Sequence, residues 1–159
     1  MHLKQSIPPT DNLNYGIIGN CKSSALINED SSIDWCCLPQ FDSPSVFGKI
    51  LDDDKGGFFK IECDASYKVT QKYLDNTAVL LTLFDNGTDA FQLIDFMPRY
   101  QKDNGVYYAP PEISRILKRI KGTPLIKVLY DPRLEYAQGE TKSYVKDDFI
   151  ISIVNKKNY

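Results

Sequence analysis

Histidine is almost missing from this chain: its 159 residues hold one, His2. A serine or cysteine nucleophile needs a base to take its proton, and histidine is the usual one. Ser-His-Asp and Cys-His schemes therefore have nothing to build on. The four cysteines, Cys21, Cys36, Cys37 and Cys63, form no CxxC pair. With His2 at the very start of the chain they give no zinc-ligand set, and no metal or other cofactor is expected. The opening MHLKQSIPPTD lacks the apolar stretch of about 7–15 residues that a secretory signal needs. Free buried thiols are then expected rather than disulfides, and a cytoplasmic location. No run approaches the roughly 18 apolar residues of a membrane helix, so no membrane partner is expected. GxGxxG and Walker loops are absent, which leaves nucleotide chemistry without support. Lys plus Arg is 19 against 21 Asp plus Glu, a net charge of −2. That balance argues against a nucleic-acid partner.

What is present describes one globular domain. Hydrophobic residues make up 42% and charged residues 25%, ordinary values for a packed protein, and the length suits a single core. Ten Tyr, eight Phe and one Trp suit a β-rich protein and equally a sugar-binding surface. Residues 1–14, with Pro8-Pro9, read as an extended arm, and 15–159 as the domain. Tyr15 to Ile27 pairs as a hairpin with Ile33 to Leu38 across a cluster of turn formers at 28–32. Were Cys36 and Cys37 on a strand, they would point to opposite faces. Pro39 to Pro44 is a loop, Ser45 to Leu51 one helical turn, and Asp52 to Gly57 a solvated acidic turn without the spacing of a calcium loop.

Phe58 to Cys63 and Ser66 to Leu74 read as strands. Thr77 to Phe84 and Ala90 to Phe96 flank Asn86-Gly87, a strong hairpin signal. The Asn86-Gly87-Thr88 sequon is read as part of that turn. Arg99 to Pro111 is a tyrosine-bearing loop. Glu112 to Ile120 is ambiguous: Ile113, Ile116, Leu117 and Ile120 have helical spacing, yet the stretch is β-branched. Leu125 to Tyr130 and Phe149 to Val154 complete the pattern. Many short strands divided by turn clusters predict an all-β, antiparallel sandwich or barrel with few helical turns.

Among reaction chemistries, paired carboxylates remain. Glycoside hydrolysis sets one protonated acid and one ionised partner on either side of the scissile bond. Asp34 adjoins Trp35, and Asp42 lies between Phe41 and Ser43. An acid beside an aromatic ring suits a sugar, since the ring stacks on its face while the carboxylate accepts from its hydroxyls. An Asx-turn cap and a core tryptophan account for the same residues. The five basic residues between Arg115 and Lys127 are read as a solvated face.

One stretch is far more specific. Tyr15-Gly16-Ile17-Ile18-Gly19-Asn20, Ala25-Leu26-Ile27, and the run from Asp30 through Ser32-Ile33-Asp34-Trp35-Cys36-Cys37-Leu38-Pro39-Gln40-Phe41-Asp42-Ser43-Pro44-Ser45-Val46-Phe47 resemble the opening of glucoamylase-like and trehalase-like proteins of glycoside hydrolase family 15. Gly56-Gly57-Phe58-Phe59, Tyr73 to Leu80, Asp95-Phe96-Met97-Pro98, Arg115, Gly122 and Pro132 to Tyr136 continue the resemblance. Gln40 stands where the family carries Arg, and Ser31 where it carries Gly.

The resemblance implies an N-terminal, supersandwich-like β-domain that precedes a catalytic (α/α)6 barrel absent from this chain. In that family two barrel glutamates act as general acid and general base on α-glucosidic bonds of starch-type oligosaccharides or trehalose. It also implies a strand, not a helix, over Glu112 to Ile120. No residue here takes a glutamate role, so no catalytic residue is assigned and the chain alone is expected to be inactive. Its expected partner is the barrel of the same polypeptide, with α-glucan or trehalose reached through the full enzyme. Trp35, Gln40, Phe41, Asp42 and Ser43 are candidates for a substrate-pocket rim or domain interface, against the alternative that this loop packs within the sandwich. A free-standing carbohydrate-binding module and a protein-interaction domain are the competing readings.

Overall fold

A computed structural model describes residues 14–155. His2 and nearly all of the expected arm lie outside the described residues. Among the described residues fourteen strands run in chain order as β1 (Tyr15–Gly19), β2 (Ser24–Asn28), β3 (Ile33–Cys37), β4 (Ser45–Phe47), β5 (Phe58–Glu62), β6 (Lys68–Tyr73), β7 (Leu80–Asp85), β8 (Ala90–Phe96), β9 (Tyr100–Gln101), β10 (Tyr107–Tyr108), β11 (Ser114–Lys121), β12 (Lys127–Asp131), β13 (Glu140–Lys146) and β14 (Phe149–Asn155). One 3-10 turn, η1 (Glu135–Ala137), precedes β13. A six-stranded sheet has the order β1-β2-β3-β5-β12 with β4 added on β3, and a four-stranded sheet has the order β11-β8-β7-β6. Their pairings are antiparallel, and β9-β10 and β13-β14 form separate two-stranded ribbons. The fold is an all-β sandwich. Among the described residues no helix is long and apolar enough to cross a membrane.

Alternation builds the core. Residues of one strand that share a parity share a face, and the two sheets bring their apolar faces together. Ile18, Ala25, Ile27, Ile33, Cys36 and Phe47 of the larger sheet pack with Leu80 of β7 and with Met97. Ile61 of β5 packs with Phe84, Phe91 and Leu93 of the smaller sheet. Phe84 and Phe91 are stacked with centroids 4.5 Å apart.

One polar device ties the layers. Arg115 of β11 points inward and forms a two-point pair with Asp95 of β8, Nε to Oδ1 at 2.8 Å and Nη2 to Oδ2 at 3.2 Å. Its remaining donors reach across to the other layer: Nη1 to the Phe59 carbonyl at 2.7 Å and Nη2 to the Ser31 carbonyl at 2.5 Å. Both side chains are buried. Burial pushes the Asp95 carboxyl up, and the Arg115 guanidinium offsets that rise only in part.

Several expectations change. Tyr15 to Ile27 is two strands, not one arm of a hairpin, because Asn20 closes a turn between them. Its Oδ1 accepts the amides of Lys22 and Ser23, each at 3.1 Å, while Cys21 adopts φ 70°. Ser45 to Leu51 contains no helical turn at its start. Ser45–Phe47 pairs with β3 instead, since Phe47 gains edge contacts with Tyr130 at 6.0 Å and a ring contact with Phe59 at 6.3 Å. Over 112–120 the strand implied by the resemblance is what forms, against the helical spacing: the ladder of β11 with β8 buries Arg115 against Asp95 and leaves Ile116, Leu117 and Ile120 exposed. The tyrosine loop carries the short β9-β10 ribbon, and polar β13 had no expected counterpart. Cys36 and Cys37 are free and buried, but Cys21 is free and exposed and Cys63 half-buried.

Candidate functional site

The turn at 20–23 organises one end of the sandwich. Asn20 is buried and donates from Nδ2 to the Pro110 carbonyl at 2.8 Å, which fixes the end of the tyrosine loop. The Phe41 amide donates to the Lys22 carbonyl at 3.0 Å, which fixes the Pro39–Pro44 loop to the same turn. Ser23 Oγ donates to the Cys37 carbonyl at the end of β3. Arg99 Nη1 donates to Cys21 Sγ at 3.3 Å and lies over the Tyr107 ring, 4.7 Å from its centroid. Phe41, Lys22, Arg99 and Tyr107 therefore belong to one surface region, drawn from three separate stretches of sequence.

The predicted loop residues separate into two groups. Gln40 and Ser43 close the loop on themselves: the Gln40 amide donates to Ser43 Oγ and the Ser43 amide to the Gln40 carbonyl, each at 3.1 Å. Phe41, 59% exposed, and the exposed Asp42 form its tip. Trp35 is half-buried on β3 and is joined to the loop by Tyr136, a residue the sequence reading left unassigned as a site. The Trp35 and Tyr136 rings are tilted by 36° with centroids 6.5 Å apart, and Tyr136 Oη reaches the Ser43 carbonyl at 3.4 Å. Three consecutive left-handed residues present Tyr136: Glu135, Tyr136 and Ala137 have φ of 54°, 56° and 56°. L-residues enter this region singly and at a cost. A small cleft of about 150 Å³ opens beside Tyr136, floored by Ser45, Gly48 and Gly56.

The carboxylates do other work. Asp34 is buried and accepts from Tyr15 Oη at 3.1 Å, Asn28 Nδ2 at 2.9 Å and Ser32 Oγ at 2.5 Å. Burial, and then Asp34, push the Tyr15 phenol up to about 12, so it stays a proton donor. The Asx turn belongs to Asn28, whose Oδ1 accepts the Asp30 and Ser32 amides at 2.9 Å, and not to Asp34. Trp35 is half-buried against Tyr136 and not a core residue. A cleft of about 620 Å³ lies at Glu62, Asp64, Asp89 and Leu125. Asp64 accepts the Ser66 amide at 2.9 Å and Asp89 the Thr123 amide at 2.7 Å, while Glu62 pairs with Lys127 at 3.6 Å. The Ser66 hydrogen bonds hold the Asp64 carboxyl below its ordinary range. Both buried carboxylates, Asp34 and Asp95, and these three acids thus have structural partners. Among the described residues no cluster of His, Cys, Asp and Glu could hold a metal ion.

An aromatic ribbon extends the surface. Tyr100 and Tyr108 meet edge to face at 5.5 Å, and Lys102 Nζ lies 4.3 Å from the Tyr108 centroid. Tyr107 is 60% exposed.

Comparisons with known proteins identify a family and its relatives. Residues 6–156 match the family described as trehalase-like, N-terminal. Trehalase 2 of Sulfolobus acidocaldarius is 46% identical over 86 residues, covering 54% of this chain and 14% of that protein. A trehalase of Thermoplasma volcanium is 34% identical over 137 residues, covering 84% of this chain and 21% of that protein. A trehalase of Thermoplasma acidophilum is 35% identical over 115 residues, covering 70% and 19%. The chain spans about one fifth or less of the length of these relatives. No solved structure matches it significantly.

Proposed function

This chain belongs to the trehalase-like N-terminal family, and from that membership we propose that it is a non-catalytic domain of a glycoside hydrolase acting on α-glucosidic bonds, glucoamylase-like or trehalase-like. The observation that carries the reading is the family match over 6–156, joined to relatives named trehalase that are several times longer. The partnered carboxylates support it. General acid–base work needs one acid kept protonated and another ionised at a set separation, whereas Asp34 and Asp95 are each committed to hydrogen bonds that hold the sandwich together.

The surface at Phe41, Asp42, Gln40 and Ser43, backed by Trp35 and Tyr136, is the face offered to a catalytic (α/α)6 barrel of the same polypeptide. It has the make-up of an interface: the exposed Phe41 ring on a loop whose backbone is already fixed at Lys22 and braced by Tyr136, so little ordering entropy remains to be lost on docking. The exposed tyrosines Tyr100 and Tyr107 favour a second reading, a carbohydrate-binding module whose rings stack on sugar faces.

Trp35 is the chain's one tryptophan, so its fluorescence reports on this surface alone. Titration of the chain with trehalose and with maltose into the range of a weak, millimolar site is expected to leave its emission unchanged. Calorimetric titration with the same sugars, which also senses the Tyr100 and Tyr107 face, is expected to give no binding heat, and a saturable heat that Tyr100→Ala with Tyr107→Ala abolishes would move the assignment to the carbohydrate-binding module.

A further inference from the structure

The small cleft beside Tyr136 holds a polar group that the fold leaves without a partner. Ser45 of β4 is 2% exposed and lines the cleft. Its hydroxyl makes no hydrogen bond to any described residue. Among the described residues, every side-chain N or O atom sealed from solvent does have a partner. The Ser45 hydroxyl is therefore not sealed, and the cleft is what it opens into. A buried hydroxyl without a partner is costly, so the cleft is a place for a molecule that supplies one. Its floor is bare backbone. The Gly48 amide donates to the Gly56 carbonyl at 2.7 Å, and a Cβ on Gly56 would strike the Gly48 carbonyl. Glycine at both positions keeps the space open.

The rest of the lining says what kind of molecule fits. The volume is about 150 Å³, the size at which a cavity takes one benzene ring, so there is room for a single six-membered ring and not for two. The Tyr136 ring and Leu51 offer apolar contact. Asp52 and Lys55 share the lining with opposite charges, which favours a neutral ligand over an ion. Asp52 Oδ1 accepts the Asp54 and Lys55 amides at 3.0 and 2.9 Å, while its Oδ2 bonds no described residue. A ring with an apolar face and a rim of hydroxyls answers each of these groups. The face packs on Tyr136, one hydroxyl bonds Ser45 Oγ, and others meet Asp52 and Lys55. We propose that this cleft binds one neutral pyranose, of the kind that hydrolysis of an α-glucosidic bond releases. The choice of sugar rests on the proposed function, and the place of the site rests on Ser45. Because Tyr136 also reaches the Ser43 carbonyl, the cleft adjoins the candidate interface.

The test titrates the chain with D-glucose through the millimolar range and reads Trp35 emission, since the Trp35 and Tyr136 rings are 6.5 Å apart. A saturable change with a millimolar midpoint is expected, and none with trehalose or maltose, whose second ring has no room. Ser45→Ala is expected to weaken glucose binding by about two- to tenfold, the worth of one net hydrogen bond. It should leave the melting temperature where it was, because the hydroxyl it removes bonds nothing in the fold. Gly48→Ala sets a methyl group 3.4 Å from Ser45 Oγ, an ordinary contact. It is expected to abolish binding while the β-sheet circular dichroism is kept. Should Gly48→Ala fail to fold, Ser45→Ala carries the test alone. No saturable response to glucose would overturn the proposal and leave water on Ser45. An unchanged midpoint in Ser45→Ala would overturn it too, as would an equal response to trehalose. The non-catalytic reading is judged separately, by turnover, so either one can fail while the other stands.

Discussion

Arg115→Met is expected to destabilise the fold by about 3–5 kcal/mol, the usual result of stripping one partner from a buried ion pair. Arg115 makes four hydrogen bonds spread over both sheets, so the variant unpairs Asp95 and also frees the carbonyls of Phe59 and Ser31. The loss should depend on pH with a definite sign. Burial already raises the Asp95 carboxyl, and Arg115 offsets part of that rise. Without Arg115 the native state prefers a protonated Asp95, while the unfolded chain ionises it near the ordinary aspartate value of about 3.9. The native state then binds more protons than the unfolded state, so stability falls as pH rises from about 4. Denaturant melts at several pH values check this: Arg115→Met should be least deficient in acid. The pair Arg115→Met with Asp95→Leu removes both charges and should recover most of the loss. A uniform deficit across pH, or no recovery in the double variant, would contradict this role.

Gly57→Ala is expected to cost about 2–5 kcal/mol, combining the 1–2 kcal/mol of a left-handed L-residue with the 1–3 kcal/mol of overpacking. Gly57 has φ +72°, and a Cβ there would lie 2.4 Å from the Asp131 carbonyl oxygen. That oxygen is backbone at the end of β12, the strand that pairs β5 at Asp131↔Phe58, so it cannot swing away. Guanidinium melts compare Gly57→Ala with Gly87→Ala. Gly87 is also left-handed, at φ +91°, but a Cβ there meets nothing within 4 Å. The difference between the two variants isolates the clash, and equal losses would assign the whole effect to φ.

These two residues mark what was legible in the chain and what was not. The Asn86-Gly87 hairpin and the strands on either side were readable because turn and strand chemistry agree locally. Gly56-Gly57 was visible as a family-like motif, but its reason, a close approach to β12 more than seventy residues later in sequence, is tertiary. Arg115 was counted with a solvated basic face, since nothing near it in sequence announces Asp95. The same kind of contact hid Tyr136, which meets the Ser43 loop across 93 residues. Helical spacing at 112–120 misled because Ile116 and Leu117 serve opposite faces of a strand, and only the resemblance pointed the other way. β13 was missed because Glu140, Lys142 and Lys146 dilute its pattern, and its partner β14 supplies the apolar residues. Ser31 stands where the family carries glycine, and it accepts the left-handed φ of 66° while its hydroxyl reaches the Ile61 carbonyl at 3.2 Å.

The proposed function divides the labour of a hydrolase between a β-domain that shapes and supports and a separate module that does the chemistry. The candidate loop of Trp35, Gln40, Phe41, Asp42 and Ser43 then acts through its shape and aromatic surface, not through Asp42 as an acid. The most direct measurement of that division is glucose release from trehalose and maltose by the purified 159-residue chain, followed across the acid and neutral pH range. The account predicts release no faster than in buffer, with the chain folded by circular dichroism. Sustained turnover that Asp42→Asn abolishes would contradict it and place a catalytic carboxylate within this domain.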